Sequence, residues 1–360
     1  MGKDALSTRN VGNHPQRLIL EADKVTDLRY GTNPLQTAAL YGCNSFLGTL
    51  HELKTGKEGA SQTNMEDILY AALTVMYFDT PTAIIMKHEN PCGFATQYEP
   101  EPLSHTYRKA FGTDFRAAFG GTVFINRPLD MDTANAIREL FEEVIVTPGF
   151  DDGVVGSFKG SVRIFEYNPQ RLDSIPKYVG DVAEPEVKKM QDGSCIGFDA
   201  FLSPIRTLDD LRQHTVKSCR EPTEQELRDL LTAYRIRMHS NSVRMVKNGY
   251  ATALAGGNQD RVGCIEIAYF KNSRMNELAA RPDYEKFKER AKDYLLEGSS
   301  MASDGFFPFQ DSIELANELG ITAVLAPAGG KEHEKVIAKA GELGLAFVDL
   351  PAEMRFFDHH

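Results

Sequence analysis

The chain has 360 residues, 42% hydrophobic and 25% charged, with a formal net charge of −11. This is the balance of a soluble globular protein long enough for more than one domain. The acidic excess argues against a nucleic-acid backbone binder, which needs a basic face, and no apolar run reaches the roughly 18 residues of a spanning helix.

In chain order, residues 1–26 read as an N-terminal arm, polar and mixed in charge with no apolar signal core, which points to the cytoplasm. Met65–Tyr77 has apolar residues at helical spacing, with Asn64 as its N-cap. Thr82–Met86 is a short apolar run, a buried strand, and it leads straight into Lys87-His88-Glu89-Asn90-Pro91-Cys92-Gly93. A strand at Thr122–Ile125, a helix at Met131–Glu142 and a strand at Val144–Thr147 follow. The stretch from 168 to 220, broken by prolines, reads as a connection with short strands. A helix over Glu224–Met238 comes next, then strands Val243–Val246 and Tyr250–Ala255 around Asn248-Gly249, a hairpin signal. A long charged helix over Asn276–Leu296 is expected. Helix Asp311–Leu319, strand Ala323–Ala326, helix His333–Leu343 and strand Ala346–Val348 end the pattern. Strand–helix alternation gives an α/β fold, with units over 27–220 and 221–360 after the arm.

Five stretches carry candidate chemistry. Lys87 and His88 follow a strand, where α/β sheets place ligands. The lysine brings a fixed charge and the histidine a group that exchanges protons near neutral pH. Both reach one ligand only if the chain turns, and Asn90-Pro91 and Gly93 supply turn residues. Arg29-Tyr30 before Gly31 can grip a phosphate, and in isolation is equally a surface arginine beside a packed tyrosine. His239-Ser240-Asn241-Ser242 places two hydroxyls around an amide, able to hold a carboxamide or a cation, upstream of Gly256-Gly257 and Arg261. Asp304-Gly305-Phe306-Phe307-Pro308 reads as a wall for a flat heteroaromatic ligand or as core. Arg355 lies among aromatics at the tail. A zinc nucleobase deaminase needs HxE and PCxxC. Here Glu89 follows His88 directly and the second cysteine is missing. The five cysteines are odd in number with no CxxC pair, so neither structural zinc nor a disulfide framework is expected.

Together and in this order, from about Leu28 to the end, these stretches resemble the AICAR transformylase family, where AICAR is 5-aminoimidazole-4-carboxamide ribonucleotide. The resemblance implies two tandem cytidine-deaminase-like αβα units without zinc. It also implies formyl transfer from 10-formyltetrahydrofolate to the 5-amino group of AICAR in purine (IMP) biosynthesis. The family usually carries an N-terminal IMP cyclohydrolase, so a stand-alone transformylase is expected, with ring closure by a separate cyclohydrolase. A homodimer with active sites at its interface is implied, and no nucleic-acid or membrane partner is expected. Lys87 resembles the lysine that stabilises the transition state, His88 the proton relay and Asn241 the amide that orients the substrate. Arg29, Tyr30, Gly120, Glu143, Arg261, Phe306 and Arg355 match ribonucleotide-binding positions. Val262, Phe306, Asp311 and the Gly329-Gly330-Lys331 turn match the folate side. Ser240, Ser242 and Asp304 match a site for a monovalent cation such as potassium. Gly305 stands where alanine is usual, and Asp358 departs from the family's tail. The alternatives are a formyl transfer with another donor and a catalytically silent or regulatory ribonucleotide-binding homologue.

Overall fold

A computed structural model describes residues 16–288 and 290–358. Fifteen strands are described. They are β1 (Lys24–Leu28), β2 (Ala38–Tyr41), β3 (His51–Lys54), β4 (Thr82–Lys87), β5 (Asn90–Thr96), β6 (Thr122–Ile125), β7 (Val144–Thr147), β8 (Arg163–Glu166), β9 (Glu186–Lys189), β10 (Cys195–Phe198), β11 (Val243–Lys247), β12 (Tyr250–Ala255), β13 (Ser300–Ser303), β14 (Ala323–Pro327) and β15 (Ala346–Leu350). Eleven of them form one sheet in the order β15-β14-β13-β11-β12-β5-β4-β6-β7-β8-β3. β1–β2 and β9–β10 are separate antiparallel pairs. Most of the arm expected over residues 1–26 lies outside the described residues, and β1 begins within it.

The two halves of the sheet are built alike. A helix leads into an antiparallel hairpin, β4–β5 in one half and β11–β12 in the other. One further strand joins each hairpin antiparallel, and two parallel strands follow. The halves meet where Tyr250 of β12 faces Ala95 of β5. Both hairpins turn through two residues of positive φ: His88 and Glu89 at 55° and 61°, Asn248 and Gly249 at 52° and 83°. Such turns match the right-handed twist of the strands they join. The turn after β4 is therefore His88-Glu89, and Asn90-Pro91-Cys92-Gly93, expected to turn, is strand.

Side-chain alternation sorts β4 between two cores. Ile84 and Met86 join the core beneath the helices Gln62–Val75 and Glu224–Arg235. Ala83 and Ile85 join the opposite core, under the helices Leu103–Gly112 and Met131–Leu140. The second half has its own core there, against the helices Arg261–Ala279, Asp311–Glu318 and His333–Glu342.

The first helix starts earlier than its apolar spacing indicates. Ser61, not Asn64, is the N-cap, and Asn64 closes a capping box by returning a bond to the Ser61 N–H. The helix expected over Asn276–Leu296 is broken: among the described residues only 276–279, at the end of one helix, and Arg290–Asp293 are α-helical. The helix Arg261–Ala279 stops before Arg281-Pro282, and a 3₁₀ turn over Pro282–Phe287 follows. Proline lacks the N–H a continuing helix would need and restrains the residue before it. Among the described residues, no helix is long and apolar enough to cross a membrane.

Candidate active site

Lys87 ends β4 with its Nζ donating to the Phe119 carbonyl at 2.9 Å. His88 is exposed at the tip of the turn and makes no hydrogen bond or ion pair with the described residues. The turn is pinned from below by Asp67 on the helix Gln62–Val75, whose Oδ1 accepts the Glu89 N–H at 2.7 Å. Burial lifts the Asp67 carboxyl to about 7 against the pull of the Glu89 N–H bond; the charges of Glu89 and Glu66 add to the rise and Lys87 opposes it. Glu142, buried near Lys87 and hydrogen-bonded by Tyr107 at 3.2 Å, is likewise raised well above the carboxylate range by burial. Sequence reading missed both acids. A carboxylate on the buried stripe of a helix, as Asp67 is, was the available signal.

Arg29, Tyr30, Gly120 and Glu143 gather on the same side. Arg29 lies 5.1 Å from the Tyr30 ring and 3.1 Å from Glu58. Gly120, at φ 74°, has the Glu143 side chain beside it. Glu143 is 3.8 Å from Arg163, a buried cation that sequence reading passed over. Burial lowers the Arg163 pKa, Glu143 and Tyr30 oppose part of that, and Arg29 adds to it.

A second cluster surrounds Asn241. Arg261 donates to Asn241 Oδ1 at 2.7 Å and to Asp304 Oδ1, while Asn241 Nδ2 donates to Asn258 O at 2.9 Å. Both faces of the Asn241 amide are therefore oriented. Arg355 stacks 5.0 Å from the Phe306 ring, and the Gly329-Gly330 turn packs against both: a Cβ on Gly329 would lie 2.6 Å from Arg355 Nη2. Arg355, Phe357 and Arg237 line a cavity of about 650 Å³, whose lining does not include Lys87, His88 or Asn241. Val262 follows Arg261 at the start of its helix. Asp311 is exposed at the first position of its helix, where its Oδ1 accepts from Ser312 N at 2.7 Å, and it makes no contact with Arg355 among the described residues.

The two clusters touch at His239. Its N–H donates to Asn90 Oδ1 at 3.1 Å, and its Nε2 is 3.9 Å from Glu89 Oε2. The turn carrying Lys87 and His88 thus abuts the segment carrying Asn241.

At the cation site expected over Ser240, Ser242 and Asp304, Ser240 Oγ is buried without a partner among the described residues, but the carboxylate is already engaged. Asp304 Oδ1 already accepts from Ser242 N at 3.0 Å and from Arg261, and Oδ2 accepts from Ser242 Oγ at 2.7 Å. A guanidinium sits against the carboxylate that an ion would need, and a second cation there would be repelled. No group of three or more acid, histidine or cysteine ligands suited to a metal occurs among the described residues.

Gly305 is explained by the same contact. A Cβ there would fall 2.1 Å from Arg261 Nη2. Gly305→Ala is expected to push Arg261 off Asn241 and to cost about 1.5–3 kcal/mol of stability, the size of a lost charge-assisted bond. Denaturant unfolding checks this, and unchanged stability would show that Arg261 keeps its bonds.

Comparison with known proteins decides the family. The model for the AICARFT/IMPCHase bienzyme matches residues 3–271. The chain belongs to that family. It is 35% identical over 357 residues to the bifunctional purine biosynthesis protein PurH of Pelodictyon phaeoclathratiforme, covering 95% of this chain and 60% of that one. The PurH of Chlorobaculum parvum is 36% identical over 353 residues, with 95% and 60% covered. That of Persephonella marina is 33% identical over 356 residues, with 96% and 61% covered. The chain thus spans about three fifths of the length of these curated relatives. Within this family member, both motif clusters named from sequence lie where strand and helix ends converge.

The raised acid beneath the turn has a consequence for pH. The unfolded Asp67 carboxyl titrates near its ordinary 3.8 and the folded one at about 7. Between those values the folded state holds a proton that the unfolded state has released. This contribution to stability is therefore full below 3.8 and lost as pH rises through about 7. Asp67→Asn keeps an acceptor for Glu89 N–H and should flatten the decline of melting temperature over that range. An unaltered pH profile would mean that Asp67 is already ionised in the folded protein.

Proposed function

We propose that the chain transfers the formyl group of 10-formyltetrahydrofolate to the 5-amino group of AICAR, giving formyl-AICAR and tetrahydrofolate in IMP biosynthesis. The observation that carries this reading is the turn itself. An ammonium and an imidazole stand on adjacent residues of a rigid two-residue turn, and the imidazole is free of protein partners. Family membership supplies the class of reaction, and the Arg29–Tyr30 and Arg261–Asn241–Phe306–Arg355 groups suit a phosphorylated imidazole.

The amine of AICAR is a weak nucleophile because its lone pair delocalises into ring and carboxamide. His88 takes its proton as nitrogen attacks the formyl carbon, and Lys87 stabilises the oxyanion that forms there; the adduct then collapses by breaking the formyl C–N10 bond, and His88 returns the proton to N10 so that tetrahydrofolate leaves as the neutral amine. Asn241, held by Arg261, orients the carboxamide. Phe306, Val262, Asp311 and the Gly329-Gly330 turn are assigned to the folate side from the family resemblance.

Two surfaces support a homodimer with the sites at its interface. Phe119, beside Lys87, is 57% exposed, and Phe357, beside Arg261, is 37% exposed. Large apolar groups flanking both clusters suit cover by a second copy, whose cluster would complete the first. The two repeated halves, over 27–220 and 221–360, form the cytidine-deaminase-like units, and the enzyme works in the cytoplasm. Purified protein mixed with AICAR and 10-formyltetrahydrofolate should release tetrahydrofolate. Release only with formate and ATP would favour another donor, and tight AICAR binding without turnover would favour a silent homologue.

A further inference from the structure

Three arginines meet in a cleft at the other end of β4, away from the Lys87 turn. The cleft holds about 350 Å³ between the segment that precedes β4, the end of β5 and the helix Glu224–Arg235. The six residues of β4 put roughly 17 Å between the two ends, at ~3.4 Å per residue.

Each arginine is braced on an aromatic ring. Arg228 lies 4.1 Å from the Tyr98 centroid, Arg206 4.9 Å from Tyr178 and Arg235 5.8 Å from Phe78. None has a carboxylate within ion-pair distance among the described residues, although the chain carries a net charge of −11. Their recorded hydrogen bonds go almost wholly to carbonyls: Arg228 to Tyr98 O at 3.3 Å, Arg206 to Val179 O at 2.6 Å, Arg235 to Arg206 O at 2.6 Å. Arg235 Nε is buried without a partner.

Acidic groups nearby are otherwise engaged. Asp79 is the one carboxylate in the lining. Asp229 accepts from Tyr98 Oη at 3.0 Å and from Gly249 N at 2.9 Å. Asp210 accepts the backbone N–H groups of Arg206 and Thr207, each at 2.8 Å. The lining therefore gathers three positive charges against one, with Asp181 and Asp210 acting on Arg206 from outside it, and the guanidiniums are stacked on rings with N–H groups left over.

We propose that this cleft binds the phosphate groups of a small phosphorylated molecule, at a site separate from the reacting turn. Guanidinium forks match phosphate oxygens two at a time, and rings that pre-order the side chains lower the entropic cost of that match. A nucleotide and a sugar phosphate are two sources of the same chemistry.

The test is calorimetric titration of the full chain with inorganic pyrophosphate, ATP and ribose 5-phosphate in parallel. At least one should bind saturably with a Kd below about 1 mM. Arg228→Gln should weaken that binding on the order of tenfold, while Arg29→Gln leaves it unchanged. Arg206→Gln gives the same reading if Arg228→Gln fails to fold. Three outcomes overturn the proposal. One is no saturable binding of any of the three. Another is binding abolished by Arg29→Gln but not by Arg228→Gln, which assigns the anion to the other cluster. The third is displacement by an oligoglutamate peptide at equal concentration, which marks a protein-docking surface.

Discussion

Replacing Lys87 by alanine is expected to leave AICAR bound and to cut turnover by about 10²–10³, the cost of removing one oxyanion donor. The lysine is placed for that task. Its Nζ is tethered by the single Phe119 carbonyl at 2.9 Å, and no carboxylate lies within ion-pair distance among the described residues. Its charge is held in place yet not neutralised by a partner. In the proposed function, ground-state binding rests on Arg29, Arg261 and Arg355, so the effect should fall on kcat rather than on KM. Lys87→Arg keeps the charge but offers a planar fork where a compact ammonium is wanted, and should recover only part of the rate. Steady-state kinetics with both substrates check this. Near-normal turnover of Lys87→Ala would remove the lysine from the chemistry.

The largest effect on stability is expected at Asp304. The residue is fully buried, and its carboxylate takes two bonds from Ser242 and one from Arg261, itself 8% exposed. Asp304→Ala would leave the Arg261 guanidinium buried with no countercharge. Breaking such a pair from one side costs about 3–5 kcal/mol, whereas replacing both partners with apolar groups of similar volume is often close to neutral. Asp304→Ala should therefore lower stability by that amount in denaturant unfolding, and Asp304→Leu combined with Arg261→Met should restore most of it. The double variant removes the brace on Asn241 and the single one leaves that brace without its anchor, so both should lose transfer activity. If the double variant were no more stable than the single one, the ion pair would not be the source of the loss. If the double variant retained activity, Arg261 would have no part in orienting the amide.

Apolar patterning made much of the fold legible. Val144–Thr147, Tyr250–Ala255 and the Asn248-Gly249 turn lie where periodicity and turn chemistry put them. Where the signals failed, local chemistry had been outweighed by long-range pairing. His88-Glu89 carries no glycine or asparagine, so its left-handed turn was invisible, and the prolyl and glycyl residues after it drew attention to the wrong positions. In the structure those residues pair with β4, and β4 with β6, so the sheet dictates the turn. The strand β13, Ser-Met-Ala-Ser, has no apolar run and forms because β11 and β14 flank it. The helix Arg261–Ala279 was hidden because it carries apolar groups on several sides, with Ile267, Tyr269 and Phe270 exposed. Such a face is ambiguous to a periodicity argument.

The candidate site shows the same division. Residue types adjacent in sequence, such as Lys87 with His88 or Ser240 to Ser242, could be found as motifs. Partnerships across the fold could not. Asp67 beneath the turn, Arg163 beside Glu143, and Arg261 occupying the carboxylate of Asp304 each join residues that only folding brings together. The cation reading lost its carboxylate for that reason. The hydroxyls and the acid were visible, but the guanidinium that fills their place comes from the start of a helix more than a hairpin away in sequence.

The central claim is that the Lys87–His88 turn delivers a formyl group to an aromatic amine. A single-turnover mixture of the protein, AICAR and 10-formyltetrahydrofolate, followed by tetrahydrofolate absorbance and by mass of the nucleotide, measures it most directly. The account predicts stoichiometric formyl-AICAR with wild type and almost none with the Lys87→Ala, His88→Ala double variant. Equal product from both proteins, or none from wild type despite saturable binding of both ligands, would contradict it.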